Sequence, residues 1–193
     1  MPRKLIESTF VTLDGVISNP HHWGGPYWDD DHNAYAQKLL FGSDELLLGR
    51  ATYEGFAQAW PQRSGDPYTD KINAMPKHVA SRTLHSVDWD GARLIEGDVV
   101  DAVRALKATD GGELQVHGSP GLTQTLLAAD LVDELRLIVF PVTLGPGKRL
   151  FGEGTAARAW RLTSSTGTAT GALLTTYQRA GDVATGTMTP EQV

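Results

Sequence analysis

Residues suited to binding phosphate follow two apolar segments of the chain. They are Gly49, Arg50 and Thr52 after the first segment, and Ser81, Arg82 and Thr83 after the second. Arginine presents a planar fork of N–H donors to a phosphate, and glycine lets a ligand approach the backbone. Because open α/β sheets bind ligands at the carboxyl ends of their strands, we predict that both segments are strands ending in phosphate-binding turns.

A third candidate turn is the Gly-Ser-Pro-Gly sequence at residues 118–121. It lies between a short apolar segment ending at His117 and a stretch with leucines at helical spacing. We expect the Ser119 side chain to cap this helix and Pro120 to be its first residue. A helix N-terminus exposes unpaired N–H groups and a partial positive charge, so three such turns together would match a dinucleotide carrying an extra phosphate.

Strands and helices alternate along the chain, which predicts an α/β fold with a mostly parallel central sheet flanked by helices. Strands are predicted at residues 4–13, 45–48, 77–80, 93–95, 114–117 and 136–142, and helices at 29–41, 51–60, 98–108 and after residue 119. Two final strands, 161–168 and 172–179, form an antiparallel hairpin through Thr170 and Gly171. Residues 18–28 and 63–70 are predicted loops. We expect one domain over residues 1–180 and a polar tail over residues 181–193.

Composition narrows the classes of function. The 193 residues carry a net charge of −6, which argues against nucleic acid or an anionic membrane as the main partner. The chain contains no cysteine, which excludes disulfides, thiolate metal sites and a cysteine nucleophile. No segment has the pattern of a signal peptide or the length of a membrane span, so we expect a cytoplasmic protein. The histidines and acidic residues lack a metal-site spacing, and no metal is predicted.

Four motifs together resemble the dihydrofolate reductase-like superfamily. They are STFVTLDGVIS at residues 8–18, LLLGRATYEGF at 46–56, KHVASRTL at 77–84, and HGSPGLTQTLLAADLVDELRLIVFPVTLGPGKRLF at 117–151. The branch that matches best is the C-terminal reductase domain of the riboflavin-biosynthesis deaminase-reductase, in its stand-alone form. The resemblance covers residues 4–179 and implies a homodimer that uses NADPH. It also implies hydride transfer to a planar nitrogen heterocycle, either a dihydrofolate or pterin or a ribosylaminouracil phosphate.

The resemblance also implies roles for individual residues. The pyrophosphate side of the cofactor would contact Gly49, Arg50 and Thr52, and the 2′-phosphate would contact Ser81, Arg82 and Thr83. The remaining phosphate and the approach to the nicotinamide would be lined by Gly118, Ser119, Gly121 and Leu122. Asp14 and Gly15 would lie beside the reacting ring.

The expected substrate pocket is acidic, because no lysine or arginine occurs between Lys4 and Lys38. A substrate phosphate would meet repulsion there unless Arg63, Arg149 or a second subunit supplied a positive charge, so a neutral or protonatable heterocycle fits better. By analogy with dihydrofolate reductase, Asp30 or Asp31 is a candidate for supporting protonation; the alternative is that these acids only complement the helix dipole. Flat walls for the substrate are predicted at Trp28, Tyr53 and Trp60.

Two other classes of function match part of the sequence, a hydrolase and a non-catalytic binding protein. Ser119 lies at a strand-to-helix turn like the nucleophile of an α/β-hydrolase, but no histidine follows it at the position that this chain order requires. The other is a non-catalytic protein that binds a nucleotide or small molecule on the same fold. Hydride transfer needs no diagnostic residue of the protein, so this alternative stays open.

Overall fold

The computed structural model describes residues 2–187 and has a central sheet of eight strands. The strands are β1 (Leu5–Thr12), β2 (Ser43–Gly49), β3 (Lys77–Ala80), β4 (Ala92–Leu94), β5 (Glu113–His117), β6 (Glu134–Phe140), β7 (Trp160–Gly167) and β8 (Leu173–Arg179). The helices are α1 (Pro20–Trp23), α2 (Asp30–Gly42), α3 (Arg50–Ala59), α4 (Pro67–Ala74), α5 (Val99–Ala108) and α6 (Pro120–Ala128), with a 3₁₀ turn at Gly25–Tyr27.

The strand order is β4-β3-β2-β5-β1-β6-β8-β7. The first six strands in this order are parallel, and β8 and β7 add an antiparallel pair at one edge. This arrangement confirms the predicted α/β fold with an antiparallel C-terminal hairpin. It also puts the carboxyl ends of β3, β2, β5, β1 and β6 side by side along one edge of the sheet.

Helices cover both faces of the parallel part of the sheet, and this explains the nearly continuous apolar sequences of the strands. On one face, α5 and α6 pack Val103 and Leu126 against Leu114 and Val116 of β5. On the other face, α2, α3 and α4 pack against β2 and β3 around the buried Leu48. No helix within residues 2–187 is both long enough and apolar enough to cross a membrane.

Both predicted loops contain helical structure, which corrects the sequence-based assignment. Residues 18–28 include α1 and the 3₁₀ turn, and residues 63–70 include the start of α4. In the second case Asp66 caps the helix, its Oδ1 accepting the N–H groups of Tyr68 at 3.1 Å and Thr69 at 3.0 Å, while Pro67 is the first helical residue. An aspartate followed by proline is a helix-start signal that the polar composition of the segment obscured.

The predicted tail falls partly outside the described residues. Residues 181–187 are exposed and form no regular secondary structure, and residues 188–193 lie outside the described part of the chain. The division into a domain at 1–180 and a tail at 181–193 therefore stays a prediction.

Candidate functional site

The three predicted phosphate-binding turns lie next to one another. The turns follow β3, β2 and β5, which are consecutive neighbours in the sheet and run in the same direction. Gly49 ends β2, Arg50 begins α3, and residues 81–83 follow β3 directly. Gly118 and Ser119 lie between β5 and α6. All three turns therefore lie together at the carboxyl ends of the parallel strands.

Ser119 connects two of these turns with its side chain. Its hydroxyl oxygen accepts the backbone N–H of Gly49 at 2.9 Å. The hydroxyl hydrogen faces two acceptors, Thr52 Oγ1 at 2.9 Å and the carbonyl oxygen of His117 at 3.0 Å. The prediction that Ser119 caps α6 with its side chain is therefore wrong, because this side chain is turned toward β2 and α3. Pro120 does begin α6, as expected.

Close packing explains the small residues at these turns. A Cβ atom on Gly49 would lie 3.2 Å from the Cβ of Ser119, tighter than a normal contact. Gly118 has a φ of +57°, in the left-handed region that favours glycine. A Cβ atom on Gly121 would meet nothing within 4 Å, so the backbone of the first turn of α6 is open to a ligand. The Leu122 side chain, in contrast, packs in the core, and only its backbone could contact a phosphate.

The two arginines of the site are available to an anion. Arg82 is exposed and makes no hydrogen bond or ion pair within residues 2–187. Arg50 is also exposed, and its Nη1 atom is 3.6 Å from Glu54 Oε1, one helical turn away on α3. An exposed pair of this kind contributes little free energy, so a phosphate can compete for Arg50. The Ser81 hydroxyl oxygen accepts the N–H groups of Thr83 at 3.1 Å and Leu84 at 2.9 Å, which shapes the turn and leaves its hydrogen free to donate.

Asp14 lies at the end of β1 but binds the protein itself. Its carboxylate accepts the Thr12 hydroxyl at 2.5 Å and the N–H of Gly145 at 2.7 Å. Arg149 Nη1 lies 3.8 Å from Asp14 Oδ2. Arg149 is one of the residues named above as a source of positive charge for the expected substrate pocket, and it does lie near Asp14. The hydrogen bond from Thr12, and then that from Gly145, lowers the pKa of Asp14 to about 2. Asp14 is thus ionised at neutral pH and holds the loop after β6. Its candidate catalytic role beside the reacting ring, which the resemblance implies, stays a prediction.

The neighbouring Gly15 has a φ of +85°, and its carbonyl oxygen accepts the N–H of Leu150 at 2.9 Å. It thereby fixes the same loop from the other side of the turn.

The acid that caps the start of α2 is Asp29, one residue before the predicted Asp30 and Asp31. Asp29 Oδ1 accepts the backbone N–H of His32 at 3.2 Å and lies 2.6 Å from His32 Nδ1, forming a reciprocal cap of α2. This hydrogen bond with His32 holds the pKa of Asp29 well below its usual range. Asp30 and Asp31 are exposed in the first turn of α2 and have no bonded partner within residues 2–187. Their position in the first turn matches the helix-dipole alternative.

An aromatic wall stands beside the turn after β5. The His117 ring lies 5.1 Å from that of Phe56 on α3 and 5.8 Å from that of Phe10 on β1, measured between centroids. Trp28 continues the wall, with its ring 5.4 Å from Phe10. Burial lowers the pKa of His117 to about 4, so its ring is neutral at pH 7. The ring nitrogens have no partner within residues 2–187, which leaves one donor and one acceptor for a bound heterocycle.

The Trp60 ring adjoins this wall, 6.2 Å from that of Phe56, whereas Tyr53 shares no ring contact with the wall within residues 2–187. Their roles as substrate contacts stay predictions. The Tyr53 side chain is buried, and its hydroxyl oxygen accepts the N–H of Asp88 at 2.9 Å. The Trp60 ring packs 5.5 Å from that of Tyr68. Tyr53 also lines an open cleft of about 830 Å³ together with residues 88–90, which come just before β4. That cleft lies at the amino ends of the strands, opposite the phosphate-binding turns.

The sequence profile of the RibD C-terminal domain matches residues 3–174 of this chain. The chain belongs to the RibD C-terminal domain family. It is 33% identical over 155 residues to the uncharacterized protein YyaP of Bacillus subtilis (strain 168), covering 77% of this chain and 80% of that protein. It is 28% identical to YwjB of the same organism, covering 84% and 90% of the two chains.

Solved structures agree with this assignment. A "putative riboflavin biosynthesis protein" from Shewanella sp. PV-4 superposes with a TM-score of 0.75 at 26% identity, covering 93% of this chain and 99% of the other. The dihydrofolate reductase of Enterococcus faecalis, complexed with NADP(H) and RAB-propyl, superposes with a TM-score of 0.61 at 17% identity, covering 91% of this chain and 96% of the other. This RibD C-terminal domain protein therefore has a reductase-type fold of the dihydrofolate reductase-like class.

Sequence reasoning missed His117 and Phe10 as members of the site. Both lie at or near the carboxyl ends of adjacent parallel strands, and that position was the available signal. An aromatic residue within an apolar strand has the pattern of a core residue, so the sequence alone does not mark His117 and Phe10 as site residues. Only the register of β1 against β5 shows that they face each other.

Proposed function

We propose that this protein is an NADPH-dependent reductase that transfers a hydride to a planar nitrogen heterocycle. One observation carries the proposal: the turns after β3, β2 and β5 are neighbours at one sheet edge and include two arginines available to phosphate. A dinucleotide with an extra phosphate has three charged groups to distribute along such an edge. The membership of the RibD C-terminal domain family and the reductase-type fold support the same reaction class.

The geometry fits NADPH at the level of individual groups. Arg50, Thr52 and the backbone at Gly49 would hold the pyrophosphate, which also gains from the N-terminus of α3. Arg82, with the Ser81 hydroxyl and the exposed turn at Thr83, would bind the 2′-phosphate. The open backbone from Gly118 to Leu122 would hold the remaining phosphate at the N-terminus of α6 and border the nicotinamide.

The cofactor supplies the hydride when it is bound, and the protein's own residues align and enclose the reactants. Trp28, Phe10 and His117 offer flat apolar surfaces on which a heterocycle can stack. His117 is neutral at pH 7, so it can orient a ring nitrogen or carbonyl by one hydrogen bond without adding charge.

The charges near this wall favour a substrate without phosphate. Asp29, Asp30 and Asp31 lie at the adjacent start of α2, and Arg149 is already close to the carboxylate of Asp14. A pterin or dihydrofolate-like ring therefore suits the pocket better than a ribosylaminouracil phosphate.

The cofactor assignment is tested with Arg82→Ala. Loss of a charge-assisted hydrogen bond to the 2′-phosphate should weaken NADPH binding by more than about 1.5 kcal/mol and leave NADH binding nearly unchanged. Titration of the intrinsic fluorescence with each cofactor measures both affinities. Arg104→Ala on α5 is the matched control, since Arg104 is exposed and, within residues 2–187, pairs only with Asp101. An equal loss for NADPH and NADH would exclude Arg82 from the 2′-phosphate site.

The reaction is tested by following NADPH absorbance with dihydrofolate, a dihydropterin and the ribosylaminouracil phosphate as substrates. We expect oxidation of NADPH with at least one unphosphorylated heterocycle, and a lower rate with the phosphate. Tight NADPH binding without oxidation by any of the three would support the non-catalytic binder instead.

A further inference from the structure

A buried glutamate lies beneath the turn that follows β5. The Glu7 side chain projects from β1 with no exposed surface, toward the face covered by α6. Its Oε2 atom is 2.6 Å from the hydroxyl oxygen of Thr123, and its Oε1 atom has no hydrogen-bond partner. An ionised carboxylate left with one bare oxygen in an apolar core would be very unfavourable.

The number of available hydrogens determines the protonation state that this geometry requires. The Thr123 hydroxyl has one hydrogen but two neighbouring acceptors, Glu7 Oε2 at 2.6 Å and the carbonyl oxygen of Gly118 at 2.9 Å. Both contacts are full hydrogen bonds only if Glu7 is protonated and donates to Thr123, while Thr123 donates to Gly118. The bare Oε1 is then a neutral carbonyl oxygen, which is much easier to bury.

The surroundings of Glu7 are consistent with a neutral acid. Its partners in register are Val116 on β5 and Leu135 on β6, and the residues of α6 that face this core, apart from Thr123, are leucines. No charged or titratable side chain of these elements faces Glu7. Burial accordingly raises the pKa of Glu7 well above 4.5, and the contact with Thr123 opposes this effect only in part.

We propose that Glu7 is a protonated positioning residue that, through Thr123, holds the Gly118 carbonyl and so sets the shape of the dinucleotide-binding turn. Gly118 has the left-handed φ of +57°, and its N–H is bound to the carbonyl oxygen of Ser8 at 3.0 Å. The relay fixes the carbonyl group of the same residue, in the next peptide unit, and so directs the first turn of α6. The effect on cofactor affinity rests on the proposed NADPH site, whereas the protonation of Glu7 does not.

The protonation state is tested by infrared difference spectroscopy of the wild type against Glu7→Gln. A protonated carboxylic acid has a C=O stretch above the amide band, and this band shifts in D₂O. We expect the band in the wild type at neutral pH and its absence in Glu7→Gln. A wild-type spectrum without the band would overturn the proposal, whatever the protein binds.

The relay is tested by NADPH affinity in two matched pairs. Glu7→Gln keeps a donor to Thr123, and Thr123→Ser keeps the hydroxyl, so both should bind NADPH like the wild type. Glu7→Leu and Thr123→Val break the relay and should weaken binding roughly fivefold to tenfold, the effect of one hydrogen bond. Amide hydrogen exchange over residues 117–123 should be faster in the broken variants and unchanged in the conservative ones.

Dependence on pH provides a readout that a packing defect would not share. NADPH affinity of the wild type should fall at the pH where Glu7 ionises and competes for the Thr123 hydrogen, while that of Glu7→Gln should not follow this fall. Equal affinity and equal exchange in all four variants would refute the relay. If no variant or wild type binds NADPH but the exchange rates still separate the two pairs, the relay stands and the proposed function fails.

Discussion

The Ser119 hydroxyl connects two turns that are 70 residues apart in the sequence. It accepts the N–H of Gly49, and Ser119 itself has a left-handed φ of +55°. Such a conformation is unfavourable for a residue with a side chain, so the hydrogen bonds must outweigh the strain. Individual residues here serve the site mainly by fixing the backbone that would contact a ligand.

Ser119→Ala should lower the free energy of unfolding by about 1 to 3 kcal/mol, because the Gly49 N–H loses its acceptor while the strained φ remains. Urea denaturation measures this change. Ser119→Gly loses the same hydrogen bond but relieves the strain, so it should be less destabilised than the alanine variant. Ser86→Ala, at an exposed serine, is the control and should have the stability of the wild type. Alanine and glycine variants of equal stability would contradict the role given to strain.

At the scale of elements, α2 is attached to the C-terminal hairpin through its capping residue. Asp29 Oδ1 caps the helix, and Asp29 Oδ2 accepts the backbone N–H of Thr170 at 3.3 Å in the turn between β7 and β8. The hydrogen of the Thr170 hydroxyl faces two acceptors, the carbonyl oxygen of Tyr27 at 2.6 Å and Asp29 Oδ2 at 3.0 Å. Asp29 and Thr170 together therefore hold the start of α2, the segment before it and the hairpin turn relative to one another.

This cap predicts a specific sensitivity to acid. The pKa of Asp29 is lower in the folded than in the unfolded protein, mainly through the hydrogen bond with His32. The stability that it contributes is therefore present above the ordinary aspartate pKa of 3.8 and is lost as the pH falls through the acid range below it. Asp29→Asn should show a shallower loss of melting temperature between neutral and acid pH than the wild type. Asp30→Asn, the exposed neighbour, should keep the wild-type profile; a profile equally shallow in both variants would assign the effect elsewhere.

At the scale of the whole molecule, the edge of the sheet formed by β7 is long and exposed. Seven of the eight residues of β7 are exposed, and Leu162 keeps 51% of its surface accessible. Leu173 on the paired strand β8 keeps 44%. The outer side of β7 has no strand partner within residues 2–187, and long uncovered edges of this kind tend to associate.

We therefore propose, in line with the expectation from the sequence, that two copies associate through the β7–β8 hairpin. Sedimentation equilibrium should give a dimer for the wild type and a larger monomer fraction for Leu162→Glu, because burying an unpaired charge is unfavourable. Val183→Glu, at another exposed apolar side chain outside the hairpin, is the control and should remain a dimer. A monomeric wild type at micromolar concentration would exclude the proposal.

Local sequence patterns were enough to predict the elements and the residue types of the site. Apolar strands, amphipathic helices and turn residues are local signals, and they correctly placed the parallel sheet, the closing hairpin and the three turns at residues 49–52, 81–83 and 118–121. Local signals are weaker for short helices, and the sequence therefore predicts loops at 18–28 and 63–70, where α1 and the start of α4 lie.

Tertiary structure decided which side chains of those turns meet, because a side chain's partners depend on strand order and register. The Ser119 side chain contacts Gly49 and not its own helix. Asp14 binds the loop after β6. The acid that caps α2 is Asp29, not Asp30 or Asp31. Tertiary structure also brought His117 against Phe10 and placed the Trp60 ring beside that of Phe56. Glu7 illustrates the same division: its burial and its hydrogen bond to Thr123, 116 residues away, exist only once β1 lies beneath α6.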